Sequence, residues 1–329
     1  MASAETNEAL RWNDPSWLAA ATGWIDERVE RTGEVEQPHI YPWATALRVP
    51  TQDGPVWFKA CVPELAHEVR TLELLAARRP ELVPPLLASD RTEGWMLLGD
   101  AGTRLRDLEG TPGQIERWER AVAAYAQLQL DVAADADAFV AGGVPDRRGT
   151  RAVGELGILL VDEAALKPPV DEALSDGEIE RLRALLPRIA EEAETLDALG
   201  LPDSIQHDDL HDANVFLRDG EYRIIDWGDS SIAQPLLSSS VMLQFVAWRL
   251  DVGADAPEVR RVRDAYLEPF TAFVPREELA AATPVVARLG QLSGALKWND
   301  VVKAIPDWTR AEWVDAVPYK LRLLVELCA

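Results

Sequence analysis

The sequence predicts an α+β fold with two lobes, a small five-stranded antiparallel N-terminal lobe and a larger, mostly helical C-terminal lobe. Short β-rich runs broken by turns, with one helical stretch among them, fill residues 36–98. A glycine-containing break follows at residues 99–102, and beyond it apolar residues recur mainly at helical spacing. One acidic β-hairpin at residues 206–229 interrupts the helices. We therefore expect lobes of residues 1–100 and 101–329.

Length and composition are those of an ordinary globular protein. The 329 residues suffice for two lobes with cores, 47% of them are hydrophobic and 27% are charged. The net charge of −23 argues against binding to nucleic acid or to an anionic membrane. Cys61 and Cys328 are too few for a disulfide framework or a zinc site. We expect a cytoplasmic protein without signal peptide or membrane span, and no protein partner is evident.

The N-terminal lobe is predicted to begin with a helix over residues 14–32, which Asp14 caps and Gly33 ends. A second helix is expected over residues 63–79. The five strands of this lobe are predicted at His39–Trp43, Ala46–Val49, Val56–Val62, Leu82–Ala88 and Trp95–Leu98.

Helices dominate the prediction for the C-terminal lobe. Ser175 is expected to cap one of them. The predicted helices span residues 111–135, 152–165, 176–199, 236–250, 257–273, 276–290 and 308–327.

Lys59 stands within the apolar third strand, where an unpaired lysine is rare. Two interpretations fit: an edge-strand lysine whose amine reaches water, or a lysine directed at phosphate. The following helix carries Glu68 on an otherwise apolar stripe, and Glu64 lies near the same face. Because a buried glutamate needs a cation, we expect Glu68 to pair with Lys59, with Glu64 as the alternative.

The segment QHDDLHDANVFLRDGEYRIIDWGD, residues 206–229, is the most informative part of the chain. Asp219-Gly220 between two β-rich runs predicts a two-residue hairpin turn. This turn places Arg218 opposite Glu221. The same register pairs Asn214 with Ile225 at the open end of the hairpin.

At that open end Asn214 and Asp226 become neighbours, and Asp209 lies one short loop upstream. Two carboxylates and an amide oxygen therefore converge. These are the hard oxygen ligands that Mg²⁺ prefers.

These motifs resemble the aminoglycoside phosphotransferase family, which are small-molecule kinases of the protein-kinase-like fold. HDDLHDAN looks like the catalytic loop H-x-D-x-x-x-x-N of the family, and IIDWGD looks like its metal-binding segment. VWFKA is similar to the strand that carries the phosphate-binding lysine, and WMLLGDAG is similar to the hinge between the lobes. The resemblance extends from about residue 36 to about residue 250.

The resemblance implies a phosphotransferase that uses ATP, or GTP, together with Mg²⁺. Asp209 would accept or orient the proton of the acceptor hydroxyl. Asn214 and Asp226 would hold the Mg²⁺ ions, and Lys59, held by Glu68, would contact the α- and β-phosphates.

Backbone groups would complete the nucleotide-binding site. Those near Leu98 and Asp100 would read the adenine edge. No G-x-G-x-x-G loop is present, and Trp43-Ala44-Thr45 occupies its place, so the Thr45 hydroxyl and nearby N–H groups would cover the phosphates. His207 would brace the catalytic loop.

The acceptor would be a small molecule with a hydroxyl: an aminoglycoside or other antibiotic, a sugar or amino sugar, or an amino alcohol. Carboxylates of Asp208, Asp212 and Asp229 would form an electronegative mouth that attracts amines, or would only tune the metal. The residues expected to line the acceptor site are Asp229, Trp248, Trp298, Asn299 and Asp300.

Two other functions remain open at this point. A metal-dependent hydrolase could use His207, Asp209 and His211, which alternate along an extended segment. A pseudokinase scaffold would bind nucleotide without transfer, although such a protein has no need for Lys59 and Asp226 together with the other two motif residues.

Overall fold

The computed structural model describes residues 10–329, and its N-terminal part is built on a five-stranded antiparallel sheet. The strands are β1 Glu36–Ile40, β2 Ala44–Thr51, β3 Gly54–Cys61, β4 Leu86–Asp90 and β5 Trp95–Leu98. The strand order is β1-β2-β3-β5-β4, so β3 is central. Lys59 on β3 pairs with Ala46 on one side and Met96 on the other, and the edge-strand interpretation of this lysine is therefore wrong. The segment in which we expected no signal peptide begins with residues 1–9, which lie outside the described residues.

Two helices accompany this sheet. Helix α1, Pro15–Asp26, begins at the predicted cap, where Asp14 accepts the N–H of Ser16 at 2.7 Å. It ends before the predicted residue 32 because Arg31 folds back onto Asp26 at 2.5 Å and makes a β-bridge to Thr51. Helix α2, His67–Arg78, follows β3.

The C-terminal part consists mainly of helices. One predicted helix, over residues 276–290, is in fact two, because Pro284 stands in the first turn of a new helix that continues to Ala304. The helices are α3 Gln114–Val132, α4 Ala136–Ala141, α5 Arg151–Leu159, α6 Glu163–Leu166, α7 Asp176–Asp197, α8 Ser238–Leu250, α9 Pro257–Leu267, α10 Arg276–Ala281, α11 Thr283–Ala304 and α12 Ala316–Cys328. Ser175 caps α7, as predicted, and the structure adds a capping box with Glu178.

Two small sheets lie among these helices. The predicted hairpin is formed by β8, Val215–Arg218, and β9, Glu221–Ile224, and a short strand β6, Thr103–Arg104, joins it. Strands β7, Ser204–Gln206, and β10, Ser231–Ala233, pair with each other on either side of the hairpin segment. This pairing fixes both ends of residues 206–231 against the helical part.

The hydrophobic core has two clusters. One packs the five-stranded sheet against α1 and includes Trp12, Trp24 and Phe58. The other contains the C-terminal helices but also Val69 and Leu72 of α2. Helix α2 therefore joins the two parts, and the exact boundary at residue 100 stays a prediction. Among the described residues, no helix is long and apolar enough to cross a membrane.

Candidate active site

The hairpin has the register that its Asp-Gly turn predicts. Asp219 and Gly220 both have positive φ, 55° and 88°, as a type I′ turn requires. Arg218 pairs with Glu221, and the N–H of Ile225 donates to the carbonyl of Asn214 at 3.0 Å. Asn214, and Asp226 directly after Ile225, are thereby brought to the open end of the hairpin.

Asn214 and Asp209 are in direct contact. The Asn214 Nδ2 donates to the Asp209 backbone carbonyl at 3.0 Å and to its Oδ2 at 3.2 Å. Because the Asn214 amide nitrogen donates to Asp209 in both contacts, the amide oxygen of Asn214 points away from Asp209. His211 adds a contact from its Nε2 to Asp209 Oδ2 at 3.3 Å.

Asp226 meets the N-terminal lobe through Lys59. The Lys59 Nζ lies 2.7 Å from Asp226 Oδ1 and 2.6 Å from Glu68 Oε1. The same Glu68 oxygen accepts the backbone N–H of Trp227 at 3.0 Å. Glu68 is 3% exposed, whereas Glu64 lies at the surface, so Glu68 is the partner of Lys59. One buried carboxylate therefore connects the sheet, α2 and the segment that follows Asp226.

The backbone at Asp226 is held in the left-handed region, with φ 67° and ψ 60°. This conformation is uncommon for a residue with a side chain and is often found where function requires it. Here it leaves the Asp226 carboxylate about half exposed, with only Oδ1 engaged by Lys59.

The oxygens of Asn214 and Asp226 are ligands of the chemical type that a hard divalent cation prefers. The Asn214 amide oxygen is turned away from Asp209, and the second oxygen of Asp226 is accessible. One amide and one carboxylate oxygen, with water and phosphate oxygens completing the shell, is how proteins usually hold Mg²⁺. Within residues 10–329, no group of three or more His, Cys, Asp or Glu side chains is arranged to hold a metal ion.

Comparison with known proteins then decides the family. The model of the phosphotransferase enzyme family (APH) matches residues 58–279, more than half of the chain and all of the side chains described so far in this site. The chain belongs to this family. A search of curated protein sequences gives no significant match.

Solved structures show the same protein-kinase-like fold in other phosphotransferases. Macrolide 2′-phosphotransferase MphH from Brachybacterium faecium has 16% identity and a TM-score of 0.60, over 91% of this chain and 97% of that one. Choline kinase from Cryptosporidium parvum has 13% identity and a TM-score of 0.62, over 94% and 96%. Aminoglycoside phosphotransferase APH(4)-Ia has 13% identity and a TM-score of 0.57, over 95% and 99%. Family and fold together make this protein a small-molecule kinase.

Lys297 is a buried lysine beside Asp209 that was not among the residues expected from the sequence. It lies on α11, is 7% exposed, and reaches Asp229 Oδ2 at 3.0 Å and Asp209 Oδ1 at 3.3 Å. The predicted helix stopped at Gly290, so position 297 had no assigned place. A lysine between Leu296 and Trp298 in an apolar run was a usable signal, the same one that identified the lysine of β3.

Electrostatics at Asp209 follow from these contacts. Burial raises the pKa of Asp209, but Lys297 and His211 oppose it and hold that pKa below its usual value. Burial lowers the pKa of His211, and its contacts with Asp209 and Asp212 outweigh this and raise the pKa to about 9. Burial, with the nearby charges of Asp209 and Asp226, raises the pKa of Asp229 to about 6 although Lys297 opposes the shift.

Two pKa values in the Lys59 cluster move in opposite directions. Burial raises the pKa of Glu68, and Lys59 only partly offsets it. At the half-exposed carboxylate of Asp226, partial loss of solvent also raises the pKa, but Lys59 outweighs this effect and lowers the pKa. Of the two carboxylates that Lys59 contacts, Asp226 therefore carries the negative charge more readily.

The expected electronegative mouth does not form, because its carboxylates are used internally. Asp208 is 5% exposed and accepts from Ser231 at 2.5 Å and from Ser293 at 3.0 Å. Asp212 is fully buried and contacts Arg106 and Arg249. The carboxylate of Asp229 is paired with Lys297.

Several residues expected to contact nucleotide are otherwise engaged. Thr45 is 2% exposed, and its hydroxyl donates to the carbonyl of His39 and accepts from Gln37, so it is not available to cover phosphates. The Asp100 carbonyl accepts from Arg218 and Arg223, so it is not free to read the adenine edge. Leu98 is paired with Trp57 on one side and with Leu86 on the other.

His207 has the position expected of a bracing residue. Its ring is fully buried, lies 4.8 Å from the Trp227 ring, and has Nε2 2.8 Å from the Ile225 carbonyl. Among the described residues, His207, Asp209 and His211 form no group arranged to hold a metal ion, which argues against the hydrolase interpretation.

The predicted acceptor residues are not all together. Asp229 and Asp300 line a cavity of about 330 Å³ that Lys297 also lines, although Asp300 is paired with Arg147 at 2.5 Å. Trp248 is 65% exposed and packs on Phe245. The remaining two follow Lys297 on α11: Trp298 stacks on Trp313, and Asn299 is half-buried.

Proposed function

We propose that this protein uses ATP, or GTP, and Mg²⁺ to transfer the γ-phosphoryl group to a hydroxyl of a small molecule. The observation that supports the proposal is a pair of side-chain contacts that the hairpin register brings to its open end. Asn214 contacts Asp209 at 3.2 Å, and Asp226 contacts Lys59 at 2.7 Å, at the two strands' shared open end. Phosphoryl transfer needs such positioned charges more than it needs covalent chemistry.

In the proposed reaction, the acceptor oxygen forms a bond to the γ-phosphorus as the bond from phosphorus to the β,γ-bridging oxygen breaks. ADP leaves with the electron pair of that bond. Asp209 orients the acceptor hydroxyl and accepts its proton, which passes on to solvent. Asn214 and Asp226 would hold the Mg²⁺, whose positive charge offsets the charge on the phosphate oxygens.

Lys59 is proposed to contact the α- and β-phosphates. The lysine already has a fixed position, because Glu68 holds it from the side of α2. Its second contact, with Asp226, involves a half-exposed carboxylate and can be exchanged for a phosphate when metal and nucleotide bind. Leu98, at the end of β5, would lie against the adenine.

The acceptor is proposed to enter the cavity that Asp229 and Lys297 line, whose volume of about 330 Å³ suits a small molecule or one ring of a larger one. The Ser230 hydroxyl, which lines the same cavity, has no hydrogen-bond partner among the described residues. Because Asp229 is already paired with a lysine, we expect the site to prefer uncharged hydroxyl compounds over polyamines.

The direct test is ³¹P NMR detection of a phosphomonoester across macrolides, aminoglycosides, hexoses, hexosamines and amino alcohols with ATP and Mg²⁺. We expect product with wild type and with Asp219→Asn, an exposed turn residue, and none with Asp209→Asn. ATP binding without any product would favour the pseudokinase scaffold. Product that forms equally well with Asp209→Asn would refute the proposed role of this aspartate.

A further inference from the structure

Among the described residues, Lys297 is the one cation from outside the hairpin that contacts Asp209. Each hydrogen of its ammonium group has an acceptor nearby. Its Nζ lies 3.3 Å from the Asp208 carbonyl, 3.3 Å from Asp209 Oδ1 and 3.0 Å from Asp229 Oδ2. An ammonium group has three hydrogens, and here three acceptors take them. Lys297 therefore has no hydrogen left for a phosphate in this arrangement.

Asp209 is correspondingly held at both oxygens. Lys297 contacts Oδ1, while Asn214 and His211 contact Oδ2. Contacts on both oxygens fix the rotation of the carboxylate about its last bond as well as the position of the side chain. Removing Lys297 would release one oxygen and leave the other in place.

The helix that carries this lysine is itself attached to the catalytic loop. One turn before Lys297, the Ser293 hydroxyl donates to Asp208 Oδ1 at 3.0 Å. Asp208 has φ 55°, so the loop is held in a left-handed conformation immediately before Asp209. Lys297 and Ser293 together set where the loop lies relative to α11.

We propose that Lys297 is a positioning residue for phosphoryl transfer: it acts through Asp209, by holding that carboxylate in the orientation that the acceptor hydroxyl requires. The proposal rests on the proposed role of Asp209. It differs from a merely structural role, in which Lys297 would only neutralise the buried carboxylates, because it requires an effect on the transfer step that is separate from nucleotide binding.

The test measures ADP release from ATP and Mg²⁺ with water as the acceptor, so that no other acceptor needs to be known. Lys297→Met removes the charge and leaves an unbranched side chain that is shorter by one heavy atom. We expect kcat to fall by about 100-fold, the size of effect that a misplacement of about 1 Å produces, with the KM for ATP changed by less than about threefold. Lys167→Met, at a surface lysine paired with Asp176, is the control and should behave as wild type.

Lys297→Ala supplies an independent readout. Adding n-propylammonium should restore turnover, because it replaces the missing atoms and the charge, whereas 1-propanol of similar size should not. Unfolding temperature measured for each variant shows whether the fold is kept, and amine rescue does not depend on equal stability.

The outcomes separate the two proposals. Turnover within threefold of wild type in Lys297→Met would overturn the role of Lys297, and so would a loss accompanied by an equal rise in the KM for ATP without amine rescue. If wild type turns over ATP and Asp209→Asn does so equally well, the proposed function of the site fails instead.

Discussion

Glu68 offers the clearest energetic prediction, because one buried oxygen serves two donors. Its Oε1 accepts from Lys59 Nζ at 2.6 Å and from the Trp227 N–H at 3.0 Å. Glu68→Ala leaves a buried N–H without a partner, which costs about 1–3 kcal/mol, and removes one of two anions from Lys59. Since Asp226 remains, we expect the free energy of unfolding to fall by about 3 kcal/mol, near the lower end for a broken buried ion pair.

Glu68→Gln separates the hydrogen bonds from the charge. The amide oxygen can still accept from Trp227 and Lys59, and burial already raises the pKa of Glu68, so loss of its charge should cost little. We expect the free energy of unfolding to stay within about 1 kcal/mol of wild type.

Urea unfolding followed by tryptophan fluorescence measures both variants, and Glu64→Gln on the exposed side is the control, expected within about 0.5 kcal/mol of wild type. If Glu68→Ala is as stable as wild type, or Glu68→Gln is as destabilised as Glu68→Ala, then the two hydrogen bonds to Glu68 do not stabilise the fold as expected. Both Glu68 variants should also raise the KM for ATP, because Lys59 loses the buried anion that holds it from the side of α2 and keeps only its contact with Asp226.

Three further predictions concern other parts of the molecule. The folded pKa of His211, about 9, exceeds its ordinary 6.5, so its ionic contribution to stability should be complete below pH 6.5 and disappear as the pH rises to about 9. The stability difference between wild type and His211→Gln should shrink by roughly 3 kcal/mol over that range, and a pH-independent difference would contradict this. Gly290→Ala should destabilise the fold by about 1–3 kcal/mol in thermal unfolding, because the added Cβ would overlap Ser240. Gly23→Ala, which has open space around it, should stabilise the fold by about 0.5–1 kcal/mol. Equal shifts in the two variants would refute the close approach of Gly290 to Ser240. In initial-rate assays, glucose should have a higher kcat/KM than glucosamine because Asp229 is paired, and the reverse order would show that its carboxylate is available to amines.

The sequence was most informative where local rules determine geometry. An Asp-Gly turn allows essentially one register, and the positions of Asn214 and Asp226 followed from it. The pairing of Lys59 with Glu68 could be inferred because a charge on an apolar strand and an opposite charge on an apolar helical stripe each need a partner.

What could not be predicted depends on contacts between distant parts of the chain. Lys297 reaches Asp209 only because α11 crosses the catalytic loop, and the predicted helix ended before it. The Thr45 hydroxyl contacts His39 and Gln37 where the register between β1 and β2 shifts, and the residues alone did not show this shift. Charge counting likewise overestimated the electronegative mouth, because the arginines that contact Asp212 come from other segments.

The central claim is that folding of the hairpin places two metal-binding oxygens beside a proton-accepting carboxylate. Electron paramagnetic resonance titration of Mn²⁺ with ATP separates these functions in wild type, Asp226→Asn and Asp209→Asn. We expect Asp226→Asn to lose most of the nucleotide-dependent Mn²⁺ binding, while Asp209→Asn binds Mn²⁺ and ATP like wild type but transfers no phosphoryl group. Wild-type Mn²⁺ binding by Asp226→Asn would contradict the account.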